Sequence, residues 1–334
     1  MGVIGAGRIG RIHIENILRK IPGVRLKAVA DIKINSDLKT WSKNIGIPNL
    51  IDNPYIIIED PEIDTIIIAS STDTHSEFIQ NAAKAHKSIF CEKPIDTDLK
   101  RIKETLKVIE QENATVMVGF NRRFDRNFQR MKNLIEGGQI GEPQIIKITS
   151  RDPSLPSMDY IKTSGGLFVD MTIHDWDMAR FQIGSDIEEI YAKGATLISP
   201  ELSKVGDIDT AVAILKFQSG ALGIIDNSRQ AVYGYDQRIE VLGSNGCIMA
   251  DNEPSNTLKL FNADSTKQDN IPYFFLERYM DSYQEELLRF FKFLHDSKEP
   301  FPNGLDGLKS VLAAVAAQTS FLENRPVKLS EIYY

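Results

Sequence analysis

Three glycines near the start of the chain constrain its fold more than any other feature. Gly5, Gly7 and Gly10 follow a short apolar run at residues 3–4, and residues 9–20 carry apolar side chains at helical spacing. Between a strand and a helix, the first glycine permits a tight turn, the second lets the backbone approach a pyrophosphate, and the third allows close packing. The unpaired N–H groups of the helix N-terminus then face the phosphates. The loop therefore predicts a bound dinucleotide.

Asp31 sharpens the choice of dinucleotide. It ends a predicted strand at residues 24–30 and stands twenty-one residues after Gly10. A carboxylate at this place accepts hydrogen bonds from both ribose hydroxyls, and it repels the 2′-phosphate that distinguishes NADP from NAD. The sequence thus favours NAD. Two alternatives stay open, because Arg8 could bind a phosphate and Asp31 could be a solvated strand end.

Strand-like and helical segments alternate over the first 120 residues. We predict strands at 3–4, 24–30, 49–51, 65–69, 88–91 and 115–119, and helices at 9–20, 36–45, 74–85 and 99–113. This alternation is typical of right-handed crossovers in a doubly wound parallel sheet, so residues 1–120 are predicted to form an α/β dinucleotide-binding domain. Because only residues 1–4 precede the glycines, a first strand of ordinary length would need a few more residues before Met1.

The pattern changes after about residue 121, where strand-like runs follow one another with turns between them. We predict strands at 144–151, 188–197, 209–217, 220–228, 237–242, 247–251 and 257–261, and helices at 165–183, 279–297 and 304–324. Residues 121–334 are therefore predicted to form an α+β domain with a large, open, mostly antiparallel sheet, and its last helices could pack back on the first domain. The uncovered face of such a sheet is a natural contact between subunits.

The composition excludes several classes of protein. The net charge is −7 and no cluster of Lys and Arg is long enough to follow a phosphate backbone, so no nucleic-acid partner is expected. No apolar run approaches the ~18 residues of a membrane span, and residues 1–10 do not resemble a signal peptide. Cys91 and Cys247 fit free thiols in a reducing cytosol.

The sequence also lacks the patterns of zinc enzymes and of serine hydrolases. The histidines show no metal-ligand spacing with each other or with the cysteines, and no Gly-x-Ser-x-Gly elbow is present, so no metal site is predicted. The histidines are His13, His75, His86, His174 and His295.

Two further segments carry candidate chemistry. Glu92, Lys93 and Pro94 end an apolar strand at the edge where ligands bind in open α/β sheets, although Glu92 and Lys93 could be a plain surface pair. Further on, Asp170 and His174 are four residues apart, and on one helix they would share a face that Asp177 continues. An acid beside an imidazole orients it and stabilises its charged form, as a general base requires. A capped, structural histidine is the alternative.

Together these motifs resemble those of the Gfo/Idh/MocA oxidoreductases, a family that includes glucose–fructose oxidoreductase and inositol dehydrogenase. The resemblance covers the whole chain and rests on the glycine loop, on residues 92–94 and on residues 166–174. Residues 119–125 and 233–236 are similar to stretches of the inositol 2-dehydrogenase branch. The family combines a Rossmann domain with an α+β domain and forms homotetramers, which the resemblance implies here.

The resemblance also implies roles for single residues. Lys93 would hold the reacting hydroxyl and His174 would take its proton, while Asp170 orients the imidazole and hydride leaves for NAD. Family members often have a cis peptide before the proline that matches Pro94. The expected cofactor-binding residues are Gly5, Ala6, Gly7, Arg8, Ile9, Gly10, Asp31, Ile32, Ser71, Thr72, His75, Glu92, Lys93 and Asn121. His75 could instead be a surface residue at a helix start. The expected substrate-binding residues are Lys93, Asp152, Tyr160, Asp170, His174, Asp177, Arg123 and Tyr235, with Asn121 a further candidate.

The expected reaction is the NAD-dependent oxidation of myo-inositol to 2-keto-myo-inositol (scyllo-inosose), a step of inositol catabolism in the cytoplasm. Alternative substrates are scyllo-inositol, an aldose such as glucose, and an amino- or keto-inositol. A non-catalytic NAD-binding sensor is the rival from another class, since dinucleotide-binding domains are reused in that way. The presence of Lys93, Asp170 and His174 together argues against the sensor.

Overall fold

The computed structural model describes residues 1–333, which divide into two compact units. The first unit comprises Met1–Phe124 and Asp281–Val311, and the second comprises Asp125–Met280 and the chain from Leu312 onward. The boundaries near the end of the chain fall inside two long helices. Among the described residues, no helix combines the length and the apolar character needed to cross a membrane.

Six parallel strands form the sheet of the first unit. They are β1 (Gly2–Ile4), β2 (Ala28–Ala30), β3 (Leu50–Ile51), β4 (Thr65–Ile68), β5 (Ser88–Glu92) and β6 (Val116–Gly119), in the order β3-β2-β1-β4-β5-β6. The helices between them are α1 (Arg8–Lys20), α2 (Ser36–Ile45), α3 (Tyr55–Glu59), α4 (His75–Lys84) and α5 (Leu99–Gln111). The predicted doubly wound sheet is confirmed, whereas the short helix α3 was not predicted.

The strands of this sheet are buried on both faces, which explains their continuous apolar sequences. All four residues of β4 are buried, and β1 and β2 are buried throughout. The side chains of Asn35 and Asp98 accept backbone hydrogen bonds and so begin α2 and α5. Because the strands are parallel, the loops that follow their carboxyl ends lie at one edge of the sheet.

The second unit is built on a seven-stranded sheet. In chain order its helices and strands are α6 (Arg126–Glu136), β7 (Pro143–Arg151), α7 (Met158–Ile161), α8 (Leu167–Asp170), α9 (Ile173–Ile183), β8 (Ile187–Ala195), β9 (Thr210–Phe217), β10 (Leu222–Ser228), β11 (Asp236–Gly243), β12 (Gly246–Ala250), β13 (Lys259–Phe261), β14 (Thr266–Gln268), α10 (Phe275–His295), α11 (Gly304–Glu323), β15 (Val327–Lys328) and α12 (Leu329–Tyr333). Helices α10 and α11 each contribute residues to both units.

The strand order in the second sheet is β12-β11-β7-β10-β9-β8-β15, and β13 pairs with β14 in a separate hairpin. Every neighbouring pair in the large sheet is antiparallel except β7 and β10, which run parallel. The prediction of a large, mostly antiparallel sheet is confirmed. Helix α6 was not predicted, although Asp125 caps it and Phe128, Met131 and Ile135 form its buried face.

One predicted helix is wrong. Residues 165–183 were expected to form a continuous helix, but α8 ends at Asp170 and α9 begins at Ile173. Gly165 and Gly166 have φ values of 86° and 82°, which lie outside the helical region. At the break, the hydroxyl of Thr172 is 2.8 Å from Oδ1 of Asn227 on β10. This side-chain bond ties Thr172, between the two helices, to the sheet.

Candidate active site

The glycine loop between β1 and α1 leaves room beside the helix. Gly5 has a φ of 98°, and a Cβ on it would lie 2.4 Å from the carbonyl oxygen of Ala69. A Cβ on Gly10 would lie 2.1 Å from the carbonyl oxygen of Gly5, whereas nothing lies within 4 Å of a Cβ on Gly7. The first and third glycines therefore allow close packing, and the second faces open space. The loop fits the role that the sequence predicts for it.

The N-terminus of α1 suits an anion. Its N-cap residue is Gly7, which supplies no side-chain hydrogen bond, and the first turn carries no acidic residue. Gly7 and Arg8 are exposed, while Ile9 is partly buried. A helix end of this kind presents backbone N–H groups and a positive partial charge to a phosphate. The residues present therefore fit the pyrophosphate of a dinucleotide.

Asp31 is attached to the glycine loop. Its Oδ2 accepts a hydrogen bond from the backbone N–H of Ala6 at 2.8 Å, and its Oδ1 accepts one from Lys33 N at 2.8 Å. The carboxylate is partly exposed, and the side chain of Ile32 beside it is 75% exposed. Asp31 is therefore more than a solvated strand end. It joins the end of β2 to the glycine loop, and its carboxylate stays partly exposed.

His75 is buried at the start of α4. Its Nδ1 lies 2.7 Å from the carbonyl oxygen of Pro94, and its Nε2 lies 3.1 Å from that of Ser70. Burial lowers the pKa of His75, although both carbonyl groups act in the opposite direction. The alternative of a surface residue is wrong. Nearby, after β4, Thr72 begins a 3-10 turn and is partly exposed, and Ser71 precedes that turn and is exposed.

Glu92 is the last residue of β5 in the same sheet, and Lys93 and Pro94 follow it. Glu92 is buried, and its Oε1 lies 2.7 Å from Nε2 of His13 on α1. The alternative that Glu92 belongs to a plain surface pair is therefore wrong, because its carboxyl group faces the interior of the first unit. The Lys93–Pro94 peptide bond is cis, and Lys93 is partly exposed between two buried neighbours.

The residues after β6 form a buried 3-10 turn, Asn121–Phe124. Within it, Nη2 of Arg123 lies 3.0 Å from Oδ1 of Asp306, and its guanidinium carbon lies 4.3 Å from the ring centre of Phe301. The charge of Arg123 is thus balanced inside the first unit. Asn121 is 2% exposed and Arg123 3%, so both residues are buried in this turn, and their ligand roles stay predictions.

In the second unit, Asp170 at the end of α8 is held by two side chains. Its Oδ1 accepts a hydrogen bond from Tyr160 Oη at 2.7 Å, and its Oδ2 accepts from Nη1 and Nη2 of Arg229, each at 3.3 Å. His174 lies in the first turn of α9, and both it and Asp170 are partly exposed. The two residues therefore belong to successive short helices rather than to one helical face.

The side chain of Asn227 on β10 contacts the start of α9. Asn227 Nδ2 donates to Oδ2 of Asp175 at 2.9 Å, and its Oδ1 accepts from Thr172. Asp177, which was expected on the face of Asp170 and His174, is 1% exposed. The end of β10 thus supports the segment that carries His174.

The other predicted substrate residues of this unit differ in exposure. Asp152 follows β7 and is partly exposed, and its backbone pairs with Ser228 and Ala231. Tyr235 is 4% exposed, with its ring centre 5.8 Å from that of Tyr279. The phenol of Tyr160 is the exposed member of the group, and it reaches Asp170.

Sequence reasoning missed three residues that contact this machinery. Arg229 binds Asp170, His13 binds Glu92, and Glu286 on α10 lies beside the His13–Glu92 pair. Arg229 is 59 positions from Asp170 and His13 is 79 positions from Glu92, so no local spacing indicates either contact. His13 does follow the glycine loop by three residues on α1, which places it near the sheet edge.

Comparison with known proteins agrees with this geometry. Residues 1–120 match the model of the oxidoreductase family with an NAD-binding Rossmann fold, and residues 128–249 match the GFO/IDH/MocA C-terminal domain. The chain is 47% identical to the myo-inositol 2-dehydrogenase of Thermotoga maritima over 99% of both chains. It is 42% identical to the inositol 2-dehydrogenase of Rhizobium meliloti over 98% of both.

A solved structure of lower sequence identity shares the fold of the chain. The scyllo-inositol dehydrogenase of Lactobacillus casei, determined with bound NAD(H) and scyllo-inositol, superposes with a TM-score of 0.91 at 30% identity, covering 98% of both chains. Sequence and fold thus agree over both units. The chain belongs to the GFO/IDH/MocA family of NAD-dependent oxidoreductases.

Proposed function

We propose that this protein oxidises myo-inositol to 2-keto-myo-inositol, with NAD as the cofactor. The observation that carries the proposal is its likeness, over 99% of both chains, to a protein named myo-inositol 2-dehydrogenase. The candidate groups agree with it, since Lys93 lies at the ligand edge of the first sheet and Asp170 and His174 are partly exposed in the second unit.

The cofactor would be held by the residues at the carboxyl edge of the first sheet. The N–H groups at the start of α1 would bind the pyrophosphate, and Asp31 would accept hydrogen bonds from the ribose hydroxyls. Ser71 and Thr72 would line the nicotinamide end. When bound, NAD accepts a hydride from the carbinol carbon of the substrate.

The protein's own groups would handle the proton of the reacting hydroxyl. Lys93 Nζ would donate a hydrogen bond to the hydroxyl oxygen, and a ring nitrogen of His174 would accept its proton as the carbonyl forms. Asp170 would stabilise the resulting imidazolium. Tyr160 and Arg229 hold Asp170 in place, so its orientation does not depend on the substrate.

The remaining ring hydroxyls would be bound by polar side chains of the second unit, for which Asp152, Tyr160, Asp177 and Tyr235 are the candidates. Asp177 and Tyr235 are buried, so each has a fixed position. A fixed set of donors and acceptors distinguishes cyclitols by the orientation of their hydroxyls, since a buried polar group left unpaired by the wrong isomer costs about 1–3 kcal/mol.

The test is a substrate panel. The protein is mixed in alkaline buffer with NAD and, in turn, myo-inositol, scyllo-inositol and glucose, and the reduced cofactor is followed by its absorbance. We expect turnover with the highest kcat/KM for myo-inositol. A higher kcat/KM for another member of the panel would make that compound the proposed substrate. No turnover with any polyol or aldose would favour an NAD-binding sensor.

Variants test the assigned roles. Lys93→Met and His174→Ala should each lower kcat strongly while leaving the Kd for NAD nearly unchanged. His295→Ala, an exposed histidine near the end of α10, is the matched control and should behave as wild type. Near-wild-type turnover by His174→Ala would show that another group accepts the proton.

We also propose that the protein is a homotetramer that uses the open face of the second sheet. Ile214 on β9 pairs in register with Ile224 on β10, and Leu222 is opposite Ile145, which is opposite Leu242. These residues share one face, and Ile214 is 53% exposed and Leu222 49%. Ile214→Asp should lower the mass measured by light scattering. Leu260→Asp, in the separate β13–β14 hairpin, is the control.

The cytoplasm is the compartment we propose for this activity. Cys91 and Cys247 are both free thiols, one buried and one exposed. A reducing compartment keeps such thiols free. Fractionation of the native cells with activity measured in each fraction tests the assignment.

A further inference from the structure

One buried carboxyl group of the first unit has no role in the proposed reaction. Glu286 lies on α10 and is fully buried, and neither of its side-chain oxygens has a hydrogen-bond partner among the described residues. Such a group costs stability unless something compensates it. Its surroundings therefore need an explanation.

The groups that face Glu286 come from three elements. Glu92 at the end of β5, His13 on α1 and Glu286 bring one donor or acceptor atom each to within 4.8 Å of one another. Tyr283, one turn earlier on α10, faces the ring of His13 at 5.9 Å between centres. Glu92 and His13 are already joined at 2.7 Å.

The surroundings of the cluster are apolar. Phe90 packs edge-on against His13 at 5.2 Å, and Phe90 in turn contacts Phe290. Two carboxylates this close to each other in a low-dielectric interior cannot both carry a charge. Burial raises the pKa of Glu286 well above its ordinary value, and the negative charge of Glu92 raises it further. Glu286 is thus the carboxyl group that keeps its proton.

The cluster is directly connected to Lys93. Glu92 is its neighbour in the chain, and the carboxyl group of Glu92 sits over Gly119, where a Cβ would come within 3.1 Å of it. The carboxyl group of Glu92 therefore packs against β6 at Gly119, its partner across the sheet, one residue before Lys93. A neutral acid beside Glu92 adds no second negative charge, and the dipole of its O–H can act on the Glu92–His13 pair at a separation within 4.8 Å without a formed hydrogen bond.

We propose that Glu286 is a positioning residue, a neutral carboxylic acid that holds the Glu92–His13 pair in one arrangement and thereby sets the position of Lys93. The inference rests on the proposed function, since it assigns Glu286 a role through Lys93. It assigns Glu286 no contact with substrate or cofactor.

The first test measures the buried proton without using activity. Glu286→Gln replaces the acid by an amide of the same shape that cannot ionise. Between the ordinary pKa of Glu and the raised value in the folded protein, wild type binds one proton more when folded than when unfolded. Its stability therefore falls as the pH rises. The ratio of the unfolding constants of wild type and Glu286→Gln should change by up to about tenfold per pH unit across this range.

Controls make this comparison decisive. Glu285→Gln, one residue earlier on α10 and paired at the surface with Arg289, should show no such trend. A ratio for Glu286→Gln that does not vary with pH would show that Glu286 is ionised in the folded protein and would overturn the proposal. One tightly bound metal ion per chain, lost in Glu286→Gln, would also overturn it by putting a cation in place of the proton.

The second test separates positioning from folding. Glu286→Gln should keep kcat within about threefold of wild type, whereas Glu286→Leu, which has no polar group, should lower kcat at least tenfold with an unchanged Kd for NAD. Equal loss in both variants would overturn the role of the neutral acid. If Lys93→Met retains full activity, the proposed function fails instead, and the stability comparison still decides whether Glu286 is neutral.

Discussion

The backbone N–H of Ala6 donates a hydrogen bond to Oδ2 of Asp31 at 2.8 Å, joining the glycine loop to the end of the neighbouring strand. One residue thus serves two purposes. Its carboxylate fixes the loop that would bind the pyrophosphate, and the same carboxylate is expected to meet the ribose hydroxyls. We therefore expect the cofactor preference and the shape of the loop to be coupled through this single side chain.

Replacement of Asp31 should weaken this coupling. In Asp31→Asn the amide oxygen can still accept a hydrogen bond from Ala6, but the charge that repels a 2′-phosphate is gone. We expect the KM for NAD to rise about tenfold and NADP to become a usable cofactor, since hydrogen bonds to charged groups contribute about 1.5–3 kcal/mol. Initial rates with each cofactor measure both effects. Asp37→Asn, which alters an exposed partner of Arg11, is the control. An unchanged preference for NAD over NADP in Asp31→Asn would contradict the role assigned to Asp31.

Arg229 should influence the reaction without being a ligand. Its guanidinium group is 1% exposed and lies 3.3 Å from Oδ2 of Asp170. In Arg229→Met, Asp170 loses the bonds from this guanidinium group and keeps the bond from Tyr160, so its carboxylate is held less firmly. A misplacement of about 1 Å can cost a hundredfold in rate, and we expect a loss of kcat approaching that size.

The pH profile distinguishes this effect from simple destabilisation. If Arg229 acts through Asp170 on the imidazole, the acidic limb of kcat/KM should shift in Arg229→Met. Arg126→Met, which removes an exposed partner of Glu253, should change neither kcat nor the profile. A fall in thermal stability with an unaltered pH profile would restrict Arg229 to a structural role.

His75 is expected to position the loop that carries Lys93. Because burial lowers its pKa, the imidazole is neutral at neutral pH and has one N–H to donate. The shorter contact, 2.7 Å to Pro94, indicates that Nδ1 carries the proton. His75→Asn retains an N–H donor and should keep more activity than His75→Leu. We expect at least a tenfold difference in kcat between the two, since the aim of Lys93 depends on this bond.

The two variants should show similar affinity for NAD if His75 acts only on the loop. A rise in the Kd for NAD without a change in kcat would instead place His75 among the cofactor contacts. His86→Asn is not a suitable control, because His86 has a φ of 55° and asparagine tolerates that conformation differently. His295→Asn at the exposed end of α10 is preferable.

The parts of the fold that could be predicted are those with a local signal. Strands buried on both faces, such as β4, have continuous apolar sequences. Gly5, which has a positive φ, marks the end of β1. The glycine loop, Asp31 and residues 92–94 all follow such strands. Their position at one edge of the sheet then follows from parallel topology, which explains why sequence reasoning located them.

The parts that could not be predicted depend on contacts between distant residues. At the break between α8 and α9, Thr172 bonds to Asn227, 55 positions away, a contact that no local pattern indicates. For the same reason Arg229 and Glu286 have no local sign of their proposed roles, since a buried ionisable group is recognised only by what surrounds it. The contact between Arg123 and Asp306, 183 positions apart, is another that no local pattern indicates, and the ligand role of Arg123 stays a prediction.

Asp209 gives a prediction for the stability of the second unit. Its carboxylate accepts hydrogen bonds from the backbone N–H groups of Leu197, Ile198 and Ser199 at 2.8, 2.9 and 2.9 Å. Burial by itself would raise the pKa of Asp209, but these three bonds and that from Thr210 outweigh burial and lower it below the ordinary 3.8. The charged form is therefore the one that the folded protein stabilises.

The sign of the pH dependence follows from this lowered pKa. The contribution of Asp209 is fully present above the unfolded-state pKa and is lost as the pH falls through the lower folded pKa. At neutral pH, Asp209→Asn should be less stable by about 2 kcal/mol, since an amide has one acceptor oxygen for several donors. The difference in unfolding free energy between wild type and Asp209→Asn should become smaller as the pH falls below about 4. Urea unfolding at a series of pH values measures it. Asp264→Asn, exposed in the β13–β14 turn, should match wild type throughout, and a gap for Asp209→Asn that stays constant on acidification would mean that packing rather than charge sets the contribution of Asp209.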